Sequence, residues 1–204
     1  MYYSLVALFI ATWSLGLGMF YFEPQAEHIW FWLNVIDFSG SLIATFFLLF
    51  SFVFHTEIRL GRKRTMVMLL PTLIVGYLLF FTHTINQGIM ISNRGIFYGP
   101  YSFIFFSHFT VYLVAAFYNL FHVRRGMFGV ARLQMNYVIF GTVFTAVFSS
   151  LASMVLPVVF HNFAFMHIGP YLTLIMVGLF MYAMWRYEHP WDFFAQINKT
   201  SGFV

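Results

Sequence analysis

The chain has no cysteine, which removes disulfides, thiolate metal ligands and iron–sulfur ligation together. Charge is almost as scarce: Asp, Glu, Lys and Arg make up 8% of 204 residues, where a soluble globule carries about a quarter. A surface so poor in charge cannot hold a chain of this size in water. Also missing are a nucleophile–base pair, a glycine-rich phosphate loop, an HExxH helix and clustered carboxylates, so no catalytic apparatus is visible and the chain reads as a non-enzyme. There is no internal repeat, no low-complexity tract and no paired set of broken hydrophobic segments of the kind transporters use. The first apolar run lacks a basic leader and a small-x-small cleavage pattern and is read as a retained helix.

What is present is hydrophobic length. Apolar residues make up 61% of the sequence, and the runs at 2–22, 29–55, 65–84, 101–122, 134–160 and 167–187 each meet the roughly 20 residues needed to cross about 30 Å of hydrocarbon as a helix. Between them lie EPQAEH (23–28), TEIRLGRKR (56–64), INQGIMISNRGIFYGP (85–100), VRRGMFGVARL (123–133) and HNFAFM (161–166), none large enough for a soluble domain. A membrane β-barrel would instead alternate over segments of about ten residues. The expected fold is therefore all-α, a polytopic membrane bundle of six transmembrane helices, with residues 1–189 as the membrane domain and 190–204 as a short cytoplasmic tail.

The basic residues orient this bundle. Arg59, Arg62, Lys63 and Arg64 share one connection, Arg124, Arg125 and Arg132 another, and Arg186 and Lys199 flank the tail, while Arg94 stands alone on the other side. Lys and Arg are retained on the cytoplasmic side, so both termini are expected there and the connections at 23–28, 85–100 and 161–166 outside. The net charge of +4 then has a membrane explanation and gives no reason to expect a nucleic-acid partner.

Ionisable side chains within hydrocarbon are costly and tend to face a bundle interior. Asp37 is the one carboxylate well inside a span, with Asn34, Ser41 and Thr45 at helical spacings on its own face. His83, His108, His161 and His167 share the outer half with it. One reading is an outward-facing ligand pocket built from Asn34, Asp37, Ser41, His83 and His108, with His108 or His83 as partner to Asp37. The other is that Asp37 ties two helices together and the helix-end histidines reach the interface.

Three further patterns stand out. His108 and His122 lie fourteen residues apart, within about 40° of one helix face and about 21 Å along it, a spacing that suits two b-type haems with His83 and His55 completing the sites. The aromatic surroundings of His108 (Phe105, Phe106, Phe109 and Tyr112) do not suit a macrocycle, and no haem is expected. Thr142, Thr145, Ser149 and Ser153 form the small-residue face that lets membrane helices approach closely. The 30 Phe, 12 Tyr and 5 Trp either line a site for a lipid, pigment or other flat hydrophobe or form lipid-facing surfaces and interfacial belts.

WSLG (13–16), FFLLFSFVF (46–54), YGP (98–100), ARLQMNYVIFG (131–141), LP (156–157), IGP (168–170) and YAMWRYE (182–188) follow one another in an order and spacing that resembles the seven-helix membrane sensor region of bacterial histidine kinases and diguanylate cyclases. The likeness runs from about Tyr2 to His189. It implies a sensory or ligand-binding domain in a bacterial inner membrane. That family has one further helix ahead of the segment matching 2–22 and an output module after the last helix; neither is seen here, so no catalytic residue carries over. The expected function is a non-catalytic membrane protein acting through a separate membrane or cytoplasmic partner, with the aromatic tail residues Trp191, Phe193 and Phe194 as its docking strip. The alternatives are a structural subunit of a larger membrane complex and a dihaem electron-transfer subunit.

Overall fold

A computed structural model describes residues 2–23, 25–53, 60–90, 95–160, 165 and 168–186. The chain enters as helix α1 (Tyr2–Phe22) and returns as α2 (Ala26–Val53). Helix α3 (Arg62–Phe81) follows, then strands β1 (Asn86–Met90) and β2 (Gly95–Tyr98), and α4 (Ser102–Arg125). Helix α5 (Gly129–Ser150) continues through a π-helical turn, Leu151–Val155, into the short α6 (Leu156–Phe160), and α7 (Ile168–Arg186) closes the described chain.

These helices form because a backbone in hydrocarbon must satisfy its own polar groups. Helices α1 to α5 are each long and apolar enough to cross a bilayer, and α7 is apolar over Ile168–Leu179. The chain is an integral membrane protein with an all-α bundle. The π turn has a local cause. Pro157 has no N–H to return to the carbonyl of Ser153, and the helix widens just before it, with the Leu156 N–H bonding back to Leu151.

The connection at 85–100 is where the fold departs from a plain bundle. It is an antiparallel hairpin that pairs Met90 with Gly95, Ile89 with Ile96, Gly88 with Phe97 and, beyond a bulge, Asn86 with Tyr98. Its base is locked to the chain on either side by Gly99 N–H to Ile85 C=O at 2.6 Å and Tyr101 N–H to Thr84 C=O at 3.1 Å. Gly99 lies so close to the Thr84 carbonyl that a Cβ there would collide with backbone. Any other residue would push the hairpin off the bundle.

Helix α1 lies along α2, α2 packs on α4, and α3 rests against both α2 and α4; α5 pairs with α7. The two groups meet along a seam. At the hairpin end Leu17, Phe20, Ile29, Leu33, Ile36 and Ile96 form one buried cluster, so the hairpin is part of the core and not a surface loop. At the opposite end, where Arg62–Arg64 open α3 and Arg124–Arg125 close α4, a second cluster gathers Val6, Phe47, Leu120, Met127, Met135 and Ile139.

Candidate functional site

Asp37 lies eleven residues into α2, about 16 Å along the helix at 1.5 Å per residue. The hairpin reaches down to it. Asn86, buried at the first position of β1, donates from Nδ2 to Asp37 Oδ2 at 2.7 Å and to Asn34 Oδ1 at 3.1 Å. Its own carbonyl accepts from Trp30 Nε1 at 3.4 Å. Non-helical backbone is tolerated at membrane depth only where protein surrounds it, and here Ile85, Asn86 and Ile96 are all buried. Asp37 faces the bundle as expected, but its partner is this asparagine and not His108 or His83.

Beside Asp37 opens a cavity of about 160 Å³ along the seam between the two helix groups. Its walls come from α1 (Trp13, Leu17), α2 (Asp37, Gly40), the hairpin (Ile96, Tyr98), α4 (Phe105, Phe106, Phe109), α5 (Thr142, Thr145, Ser149) and α7 (Thr173, Met176). The lining is mostly apolar, with Asp37 as its one carboxyl group. Burial pushes the Tyr98 phenol above its ordinary value of 10.0, and the neighbouring Asp37 carboxyl adds to the effect.

Four of the hydroxyls on the far wall are already committed. Thr142 Oγ1 donates to Val138 C=O at 2.7 Å, Thr145 Oγ1 to Leu172 C=O at 3.0 Å, Ser149 Oγ to Gly169 C=O at 3.5 Å and Thr173 Oγ1 to Pro170 C=O at 2.6 Å. Two of these bonds cross from α5 to α7. The small-residue face of α5 thus serves the close helix contact that the sequence suggested, and it also lines the cavity. Close approach continues at Gly169, where an added Cβ would strike the Trp13 ring and lie 3.2 Å from Ser153 Oγ.

His108 belongs to a different cluster. It is buried between α2, α3 and α4, with Nε2 3.2 Å from Thr72 Oγ1, which is in turn 2.6 Å from Thr45 Oγ1. Thr45 also bonds the Ser41 carbonyl at 2.9 Å. The ring lies against Tyr112, 4.3 Å between centroids, and Tyr112 donates to Met68 C=O on α3. This chain of hydroxyls and imidazole fastens α3 to the bundle. The expected face of Asn34, Asp37, Ser41 and Thr45 is real but divides in two. Asn34 and Asp37 go to the hairpin, whereas Thr45 goes to α3; the buried Ser41 Oγ and His108 Nδ1 have no hydrogen-bond partner among the described residues. Of the five residues expected to share one pocket, Asp37 alone lines the cavity.

His83 is exposed at the hairpin end with its ring centred 4.7 Å from Trp30, and His122 is exposed at the other end, stacked on Tyr118. His83 lies against Trp30, whereas His108 directs its Nε2 to Thr72 on α3. Among the described residues no three His, Asp or Glu side chains gather as a metal site. His55, His161, His167 and the tail residues Trp191, Phe193 and Phe194 lie outside the described residues.

Sequence reasoning missed Asn86, Trp13 and Tyr98. The hairpin has a signal, SNRG flanked by IMI and IFY, of the turn-between-strands kind, but four- and five-residue strands beside long apolar helices are easily read as a loop. Nothing local marks Asn86 as buried. No protein-family profile, curated protein or solved structure matches the chain.

Proposed function

We propose that this protein is the ligand-receiving membrane part of a sensory system, taking a small, mainly apolar molecule into the cavity beside Asp37 and passing the effect along α7 to a separate partner. The observation that carries this reading is the cavity itself: a space of about 160 Å³ with a carboxyl group on one wall and α7 on the other. Small-molecule sites are mostly apolar with a few placed polar groups, and this one lies at the seam between two helix groups, where a bound molecule touches both. Thr173 and Met176 put α7 in contact with whatever fills it. The orientation that suits this role, with both termini in the cytoplasm of a bacterial cell, rests on the crowding of Lys and Arg at one end of the bundle. The aromatic tail at 190–204 is then the site where the partner docks.

Because the chain has no cysteine, single labels can be placed at will. A spin-label pair at Lys63 and Arg186 in lipid nanodiscs should report a change in distance when a cavity ligand is added. Ala146 also lines the cavity from α5, and Ala146→Phe, which puts a ring into that space, should abolish both binding and the distance change while leaving the chain folded. A chain that binds small molecules equally well with and without Ala146→Phe refutes the reading, and one that binds none returns it to the structural-subunit alternative. External labelling of Asn93 and internal labelling of Lys63 tests the orientation.

A further inference from the structure

We infer that the ligand is a small ammonium compound carrying a single ring, its N–H groups held by Asp37 and its ring by the aromatic wall; this rests on the cavity being a ligand site. The first ground is charge. Asp37 has Asn86 as its hydrogen-bond partner and no cationic partner among the described residues. The Lys and Arg side chains described are at the other end of the bundle, on Arg62–Arg64, Arg124, Arg125 and Arg132. A carboxyl group lodged in apolar surroundings either keeps its proton or takes up a counter-charge, and the fold as described leaves the position beside Asp37 open toward the cavity, where a cation can supply that charge.

The second ground is the direction of the hydrogen bonds. A hydroxyl has one proton to give and two lone pairs to offer. Thr142, Thr145, Ser149 and Thr173 all spend their proton on a backbone carbonyl, so toward the cavity they can only accept. Together with the Asp37 carboxyl group these four make a stretch of the wall that favours a donor. Asn86 does the positioning on the opposite side: its amide is aligned by Asn34 and fixes Oδ2 of Asp37.

Shape and size supply the third ground. Trp13, Phe105, Phe106 and Phe109 present aromatic surface to the same space, and aromatic faces attract both rings and cations. An apolar cavity of about 150 Å³ accepts a benzene ring. A volume of about 160 Å³ accordingly takes one ring and little more than the ammonium group.

The test uses the full chain in nanodiscs, with Trp fluorescence and thermal shift reading the binding of benzylammonium, benzyl alcohol, toluene and benzoate. Benzylammonium should bind at least about tenfold more tightly than benzyl alcohol, a difference of about 1.4 kcal/mol, and benzoate should bind weakest. Asp37→Asn should erase the preference for the cation while toluene binding persists, and Asp37→Glu should keep the preference. Equal binding of cation and alcohol to the wild type overturns the ammonium assignment but leaves the cavity a ligand site. Tighter binding of benzoate overturns the assignment as well. Failure of all four compounds to bind overturns the assignment together with the sensory reading beneath it.

Discussion

Removing the Asn86 side chain should loosen the hairpin far more than it loosens the bundle. In Asn86→Ala two hydrogen bonds vanish at once, the 2.7 Å bond to Asp37 Oδ2 and the 3.1 Å bond to Asn34 Oδ1. A bond to an ionised group contributes about 1.5–3 kcal/mol and a neutral amide pair about 1, while side-chain pairs between membrane helices average about 0.6. Allowing for the lower figures, the loss comes to about 2–3 kcal/mol, which raises hairpin opening by about 30- to 150-fold. The bundle keeps its helix contacts, so the change is local. Hydrogen exchange of the Gly99 and Tyr101 amides, which bond the Ile85 and Thr84 carbonyls at the hairpin base, followed by mass spectrometry in detergent or nanodiscs, measures that opening directly. Asn34→Ala removes the neutral bond alone and should accelerate the same amides about fivefold. A double-mutant cycle between Asn86 and Asp37 then isolates the carboxyl bond. If hairpin exchange is unchanged in Asn86→Ala, or if Asn34→Ala opens the hairpin more, the assignment of Asn86 as its anchor is wrong.

Thr72→Val breaks the link between Thr45 and His108 and should lower stability by about 1–2 kcal/mol, measured by denaturant titration in mixed micelles; a change confined to hydrogen exchange in the hairpin would contradict the separation of the two polar clusters. Gly169→Ala drives a methyl group into Trp13 and should cost about 1–3 kcal/mol as overpacking, with a shifted Trp emission maximum as its signature, whereas Gly178→Ala, where an added Cβ meets nothing, should be silent. Tyr98 holds its proton more tightly folded than unfolded, because burial raises its phenol. Unfolding therefore releases that proton once the pH exceeds the ordinary phenol value, and stability should fall as pH rises above about 10, by at most about 1.4 kcal/mol per unit. Tyr98→Phe should flatten that alkaline limb; an unaltered slope would show that Tyr98 does not carry it.

Six apolar runs determine helices without reference to any neighbour, since each crossing must satisfy its own backbone and needs about 20 residues to do so. The inward facing of Asp37 follows from the same solvent, because a lipid-facing carboxylate would cost about 2.5–3.5 kcal/mol even on a lenient scale. Both are one-body constraints between a residue and the bilayer, and the sequence alone decides them. The partner of Asp37 is not of this kind. Asn34, Ser41 and Thr45 share its face by helical spacing, but which of them turns toward the hairpin and which toward α3 depends on how far each helix rotates about its own axis. That rotation is set by contacts such as Gly99 on Thr84 and Gly169 on Trp13, made between residues distant in the chain. His108 is one turn from the cavity-lining Phe105, yet a rotation of the ring toward Thr72 removes it from the site. The cavity is the most collective feature of all: its volume is what five helices and a hairpin leave unfilled, and no single segment encodes a space that exists only between them.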